Sequence, residues 1–281
     1  MKSIPPSQIK ALINLLGRET GDQAALLREE LARIVKHQPQ ALKQVIEQDF
    51  HSAVPAAFVS ALHEICWEDL TDETIHFSSK INPDLEEGLA IVTRFINPAR
   101  HAEEIAQDVD SLTQVLRPLL APCSTPQDIL ETMGRFFLRT QQFFVLPAAY
   151  DIKDVSFGRF LQKKRGSALC LCALYAVCAK RLDIEVGLVD VAGRILVYCT
   201  TPGANAPLFA DPLDEGKILT LEDVKNYIFT RNLEWSDNFI APLSSRAIVR
   251  RFLGNVIFIL HKLRDERRLV HLRRYMDILK N

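Results

Sequence analysis

The sequence predicts an α+β fold that is mostly α, with a helical N-terminal region, a core holding a small antiparallel sheet, and a helical hairpin at the end. Three observations lead there. Apolar residues recur at helical spacing through most of the 281 residues. Alternation of the strand kind is confined to the stretch between Glu185 and Asp211. One segment, 168–182, is apolar nearly all round, which marks a buried helix. A chain this long is expected to split into more than one compact unit. We place the boundaries so as to give a helical region at 1–80, a core at 81–243 and a hairpin at 244–281.

Ile9, Leu12, Ile13 and Leu16 follow the i, i+3, i+4, i+7 pattern, and Leu27, Leu31, Ile34 and Val35 do so approximately. A third helix is expected around Ala41, Leu42, Val45 and Ile46, and a fourth through Phe58, Leu62 and Ile65, with Gly17, Gly21, Pro39 and Pro55 between them. These helices suit a HEAT-like array or an ordinary bundle, and their irregular length leaves both open. Asn82-Pro83-Asp84 then opens a helix whose apolar stripe is Leu85, Leu89, Val92 and Ile96, with Asn82 read as the cap. Helices follow over 103–120 and 127–141, and the aromatic run Phe136, Phe137, Phe143 and Phe144 is read as core beneath the apolar helix. Strands are expected at 185–191, 194–200 and 208–211, with a turn at Ala192-Gly193 and a loop at 201–205. Thr220-Leu221-Glu222-Asp223 has the form of a capping box. Two basic amphipathic helices, with Ile248, Phe252, Val256 and Ile259 inward, close the chain.

Composition narrows the partners. The net charge of -1, with 48% hydrophobic and 25% charged residues, gives no global reason to expect nucleic acid or an anionic membrane. From Arg246 onward ten basic residues face three acidic ones, a local excess that suits a solvated helix face, an acidic docking surface or a phosphate patch. No segment has the length of uncharged apolar residues needed to span a bilayer, and residues 1–6 lack a signal-like run, so a cytoplasmic location is expected. The six cysteines are irregularly spaced and are expected as reduced thiols. Cys170 and Cys172, two apart on a helix, point about 200° apart and cannot close on one zinc ion. No metal or cofactor is expected.

The chemistry-bearing residues are Cys170, Arg194 and Asp211: a thiol, a cationic side chain and a carboxylate in chain order. Cys170 near the start of its helix would feel the positive end of the helix dipole, and a nearby Arg194 would add to that, both making the thiol more acidic. Acyl transfer also needs a proton carrier, and arginine offers donors only. No histidine occurs from Ala102 to Leu260; His37, His51, His63, His76 and His101 precede the core, while His261 and His271 follow it. His261 folding over the site is the one rescue, with Tyr198, on the strand face of Arg194, a weaker one. As plain structure, the same cysteines are small core fillers and Arg194 with Asp211 is an ion pair.

Several segments, in order, resemble the SirB family: 85–89, Phe160-Leu161-Gln162-Lys163-Lys164-Arg165-Gly166, Leu174-Tyr175 with Cys178-Ala179-Lys180-Arg181-Leu182, Val191-Ala192-Gly193-Arg194, Ala210-Asp211-Pro212-Leu213 with Gly216-Lys217-Ile218-Leu219, and 250–255. The resemblance covers roughly two-thirds of the chain, from about Asp84 on. It implies a bacterial protein with a transglutaminase-like, papain-like core and a tetratricopeptide-like helical tail. It also implies that Cys170 stands at the nucleophile position, Arg194 at the histidine position and Asp211 at the aspartate position, so that the triad is degenerate.

Two function classes follow, with a third behind them. The first is a non-catalytic protein-binding or regulatory module that keeps a transglutaminase-like core and presents a cleft to a protein partner. The alternative is a cysteine-dependent amidase, protease or acyl transferase using Cys170. The third is phosphate or RNA binding through the basic tail.

Overall fold

A computed structural model describes residues 4–16, 18, 21–49, 54–201 and 206–280. Gly17, His51 and positions 202–205 of the expected loop lie outside the described residues. The chain falls into two compact units, one of 1–72 with 97–99 and one of 73–96 with 100–281.

The first unit contains α1 (Pro6–Leu16), α2 (Asp22–His37), α3 (Pro39–Asp49) and the beginning of α4 (Ala56–Ser79). Its core joins the predicted stripes: Ile9, Leu12 and Ile13 of α1 meet Leu31 and Ile34 of α2, Val45 of α3 and Phe58 of α4. Because α1 packs against both α2 and α3, and α2 against α3, the three helices bury their apolar faces on a shared centre.

In the second unit, α5 (Leu85–Ile96) begins one residue after Asp84. The cap is Asp84 rather than Asn82: its carboxylate accepts the Glu86 amide at 2.8 Å, because that position is close enough to the first turn to reach an orphan donor. α6 (Ala102–Leu120) and α7 (Pro126–Gly134) follow, and α7 runs on as a π-helical segment, Arg135–Thr140. β1 (Phe144–Val145), a 3-10 turn at Ile152–Val155, α8 (Phe157–Lys163) and β2 (Arg165–Gly166) lead to α9 (Ala168–Arg181), the buried helix. β1 and β2 pair in parallel, a two-residue contact too short to show any alternation in the sequence.

The main sheet is antiparallel in the order β3 (Val186–Val191), β4 (Arg194–Cys199), β5 (Leu208–Asp211), β6 (Lys217–Leu219). β3 and β4 turn at Ala192 (φ 51°) and Gly193 (φ 91°), two successive left-handed residues as a two-residue hairpin requires. Alternation then sorts the side chains by face. Val189, Val191, Leu196 and Phe209 pack with Val224 and Ile228 of α10 (Leu221–Phe229), whose start is the capping box of Thr220 and Asp223. The opposite face, with Leu188, Val197 and Ala210 buried, belongs to α9, which packs on β3 and β4.

The chain ends with α11 (Ser245–Leu263) and α12 (Glu266–Ile278), packed on one another, α11 also lying on α5. Several of their basic residues are tied down: Arg246 donates to the Ser78 and Lys80 carbonyls, Arg268 binds Asp265, and Lys280 binds Asp277. Phe136, Phe137 and Phe143 are core, Phe137 lying 4.9 Å from the Tyr175 ring of α9. Phe144 departs from the expectation: it is exposed, because the strand alternation that buries Phe143 turns its neighbour outward, where Arg165 covers it. Among the described residues no helix is long and apolar enough to cross a membrane.

Candidate functional site

The start of α9 fixes the site. Ser167 is its N-cap residue in extended conformation, held by its amide to the Asp154 carbonyl at 2.8 Å. A serine just ahead of an apolar helical run is a recognisable cap position, and this was the signal in the sequence for Ser167. Its hydroxyl caps no amide and instead donates to the Cys170 Sγ at 3.4 Å.

Cys170 lies one turn further in, with no exposed surface. Burial pushes its thiol up to about 12 against the pull of the Ser167 hydrogen bonds, and the Asp154 charge adds to the rise. The expected acidification at the helix start is therefore corrected: removing a thiolate from water outweighs the dipole. Cys172 is also fully buried and raised well above 9.0, by burial first and by the Asp211 charge second, and its Sγ reaches the Ile195 carbonyl at 3.6 Å. All six cysteines are free thiols. Among the described residues no cluster of three His, Cys, Asp or Glu side chains converges as a metal site.

Arg194 and Asp211 do meet. They form an ion pair in which Asp211 is buried and also accepts the Leu213 amide at 2.9 Å. The Arg194 guanidinium lies over the Tyr227 ring of α10, 5.4 Å from its centroid. Both side chains belong to the α10 face of the sheet, the face of Leu196 and Phe209, whereas Cys170 is on the helix covering the other face. Among the described residues Cys170 has no hydrogen bond or ion pair with either. The three expected site residues are thus brought together as a pair and a separate thiol. Tyr198 shares the Arg194 face, against Phe209, and His261 is exposed in the last turn of α11.

A cleft of about 360 Å³ opens between the start of α9, the β3–β4 hairpin and α11. Ser167, Arg194, Arg251 and Asn255 supply its polar wall; Leu169, Ile195 and Phe258 are among its apolar residues. Neither a histidine nor a carboxylate lines it, and neither does Cys170. Arg251 on α11 holds the hairpin, donating to the Gly193 carbonyl at 2.7 Å and to Asp190 at 3.3 Å, while Asp190 accepts the Gly193 amide. Arg251 and Asn255 were visible in the sequence only as members of an amphipathic helix, since nothing local marks which hairpin that helix will face. A larger cavity of about 610 Å³ lies elsewhere, rimmed by the ion pairs Arg94–Glu73, Arg181–Glu86 and Lys180–Asp84.

Residues 103–254 match the sequence profile of a family described as the transglutaminase-like superfamily, a span that holds Ser167, Cys170, Arg194, Asp211 and Arg251. No curated protein and no solved structure matches the chain.

Proposed function

The chain belongs to the transglutaminase-like superfamily, and we propose that it is a non-catalytic member of the SirB kind, a regulatory or scaffold module that binds a protein partner in the bacterial cytoplasm. The observation that carries this is the guanidinium of Arg194, engaged by Asp211 and stacked on Tyr227 where a proton carrier would be needed. Acyl transfer requires a base for the nucleophile and an acid for the leaving group, and arginine serves as neither. The Cys170 thiol supports the same reading, being sealed from the cleft and held protonated far above neutral pH. A cleft lined by a few polar groups among apolar side chains suits binding without turnover.

The test is an activity screen of the full chain on p-nitrophenyl esters, glutamine-containing peptides with an amine acceptor, and peptide amides. We expect no turnover above that of Cys170→Ala and Ser167→Ala. Hydrolysis or amine incorporation that disappears in either variant would refute the non-catalytic reading.

A further inference from the structure

We propose that the cleft between the start of α9 and α11 receives the free C-terminal carboxylate of an extended peptide whose last side chain is apolar. This rests on the non-catalytic reading and names the partner chemistry of the same cleft. Two guanidinium groups, of Arg194 and Arg251, lie in its lining with the Ser167 hydroxyl and the Asn255 amide, and no Asp or Glu lines it. The carboxylates that anchor the arginines, Asp211 and Asp190, are outside the lining, so the cleft wall itself presents donors. Asp211 holds the Arg194 guanidinium, and Asp190 with the Gly193 carbonyl holds that of Arg251, so both planes are fixed at the cleft. Planar, fixed donors of this kind match a carboxylate in two-point contact better than a point charge does.

The rest of the wall selects what the carboxylate is attached to. Leu169, Ile195 and Ile259 form an apolar floor, and Phe258 stands exposed at the rim. A volume of about 360 Å³ holds an end residue and part of the next, not a folded element. The segment 146–149 forms another wall, and the amides of Ala148 and Ala149 donate to no backbone carbonyl among the described residues. Main-chain donors left open along this wall favour an extended peptide over a free small acid.

The experiment is fluorescence anisotropy of the full chain with a fluorescein-labelled pentapeptide ending in alanyl-leucine, as free acid and as C-terminal amide, with N-acetyl-leucine as competitor. The free acid should bind at least tenfold tighter than the amide, and N-acetyl-leucine should compete only at tenfold or higher excess. Arg251→Gln should weaken the free acid tenfold or more. Ala149→Trp, which narrows the cleft from its loop while keeping both arginines, should abolish binding with an unchanged circular dichroism spectrum. Equal binding of acid and amide, no binding of either, competition by N-acetyl-leucine at parity, or full binding by folded Ala149→Trp would each overturn the proposal. Mass spectrometry of the recovered peptide separates the two readings: an intact peptide that bound supports both, a bound peptide that is cleaved or acylated defeats the non-catalytic reading alone, and an unbound peptide with no turnover defeats this inference alone.

Discussion

Arg194 of β4 and Asp211 of β5 are paired diagonally on one face of the sheet, the carboxylate enclosed and the guanidinium resting on Tyr227. A charge enclosed this way depends on its partner far more than an exposed one does.

Arg194→Gln should therefore destabilise the fold by about 3 kcal/mol, the scale for stranding one member of a buried pair. The double variant Arg194→Met with Asp211→Leu should recover more than half of that loss, since no charge is left behind. Urea denaturation of the three proteins at pH 7 checks it, and an additive double variant would show that the two residues act independently.

Native labelling with iodoacetamide at pH 8 should modify Cys123, the one partly exposed cysteine, and leave Cys170 untouched until the chain is unfolded. Peptide mapping after timed quenching gives the result. Rapid native modification of Cys170 would contradict the burial that governs its thiol.

The same burial makes the fold alkali-sensitive. Cys170 and Cys178 are pushed up to about 12 from 9.0, so above pH 9 the unfolded chain gives up protons that the folded chain retains. Stability contributed by these neutral thiols is whole below pH 9 and declines toward pH 12, by up to about 1.4 kcal/mol per pH unit for each thiol. Unfolding midpoints under reducing conditions between pH 8 and 11 should fall accordingly, and Cys178→Ala should flatten the slope.

Gly88 on α5 leaves room for α11. A methyl group there would run into Val249 Cγ2 and come within 2.9 Å of the Phe77 ring. Gly88→Ala should cost about 1–3 kcal/mol by overpacking, and Val249→Ala in the same chain should restore part of it. Thermal melts of the single and double variants decide whether the clash is the cause.

Asp84 links α5 to α9. Burial raises its carboxyl, but the Lys180 hydrogen bond, the Glu86 amide and the charges of Lys180 and Arg181 together hold it below 3.8. A depressed carboxyl contributes stability above its unfolded value, and that contribution disappears as pH falls through the lower folded value. Asp84→Asn should cost about 0.5 kcal/mol at pH 7, a small amount because the pair is half exposed, and the difference from the parent should shrink as pH falls below 3.8.

Periodic features were readable from the sequence because they are local. The stripes of α1, α5 and α11, the capping box at Thr220 and the hairpin at Ala192-Gly193 each follow from spacing within one element. Features set by long-range packing were not. β1 and β2 are two residues each and exist only because the segments meet; the π segment after α7 carries no marker distinct from a helix; and β6 was hidden by its shortness. At the site, order along the chain placed Arg194 with Asp211 correctly, since neighbouring strands bring them together. The same order could not reveal that α9 covers the other face of the sheet, nor that Ser167, not Cys170, meets the cleft.

Strand alternation makes the present state hard to reverse. A histidine introduced at 194 would inherit the direction of the arginine, toward α10, and its shorter reach would keep it from the thiol behind the sheet. Turning residue 194 toward the thiol would demand an inserted or deleted residue in the hairpin, shifting β4 by one step, and that same shift would take Leu196 out of its α10 packing and leave Asp211 without its partner. A substitution at 194 alone therefore leaves the side chain there on the α10 side of the sheet.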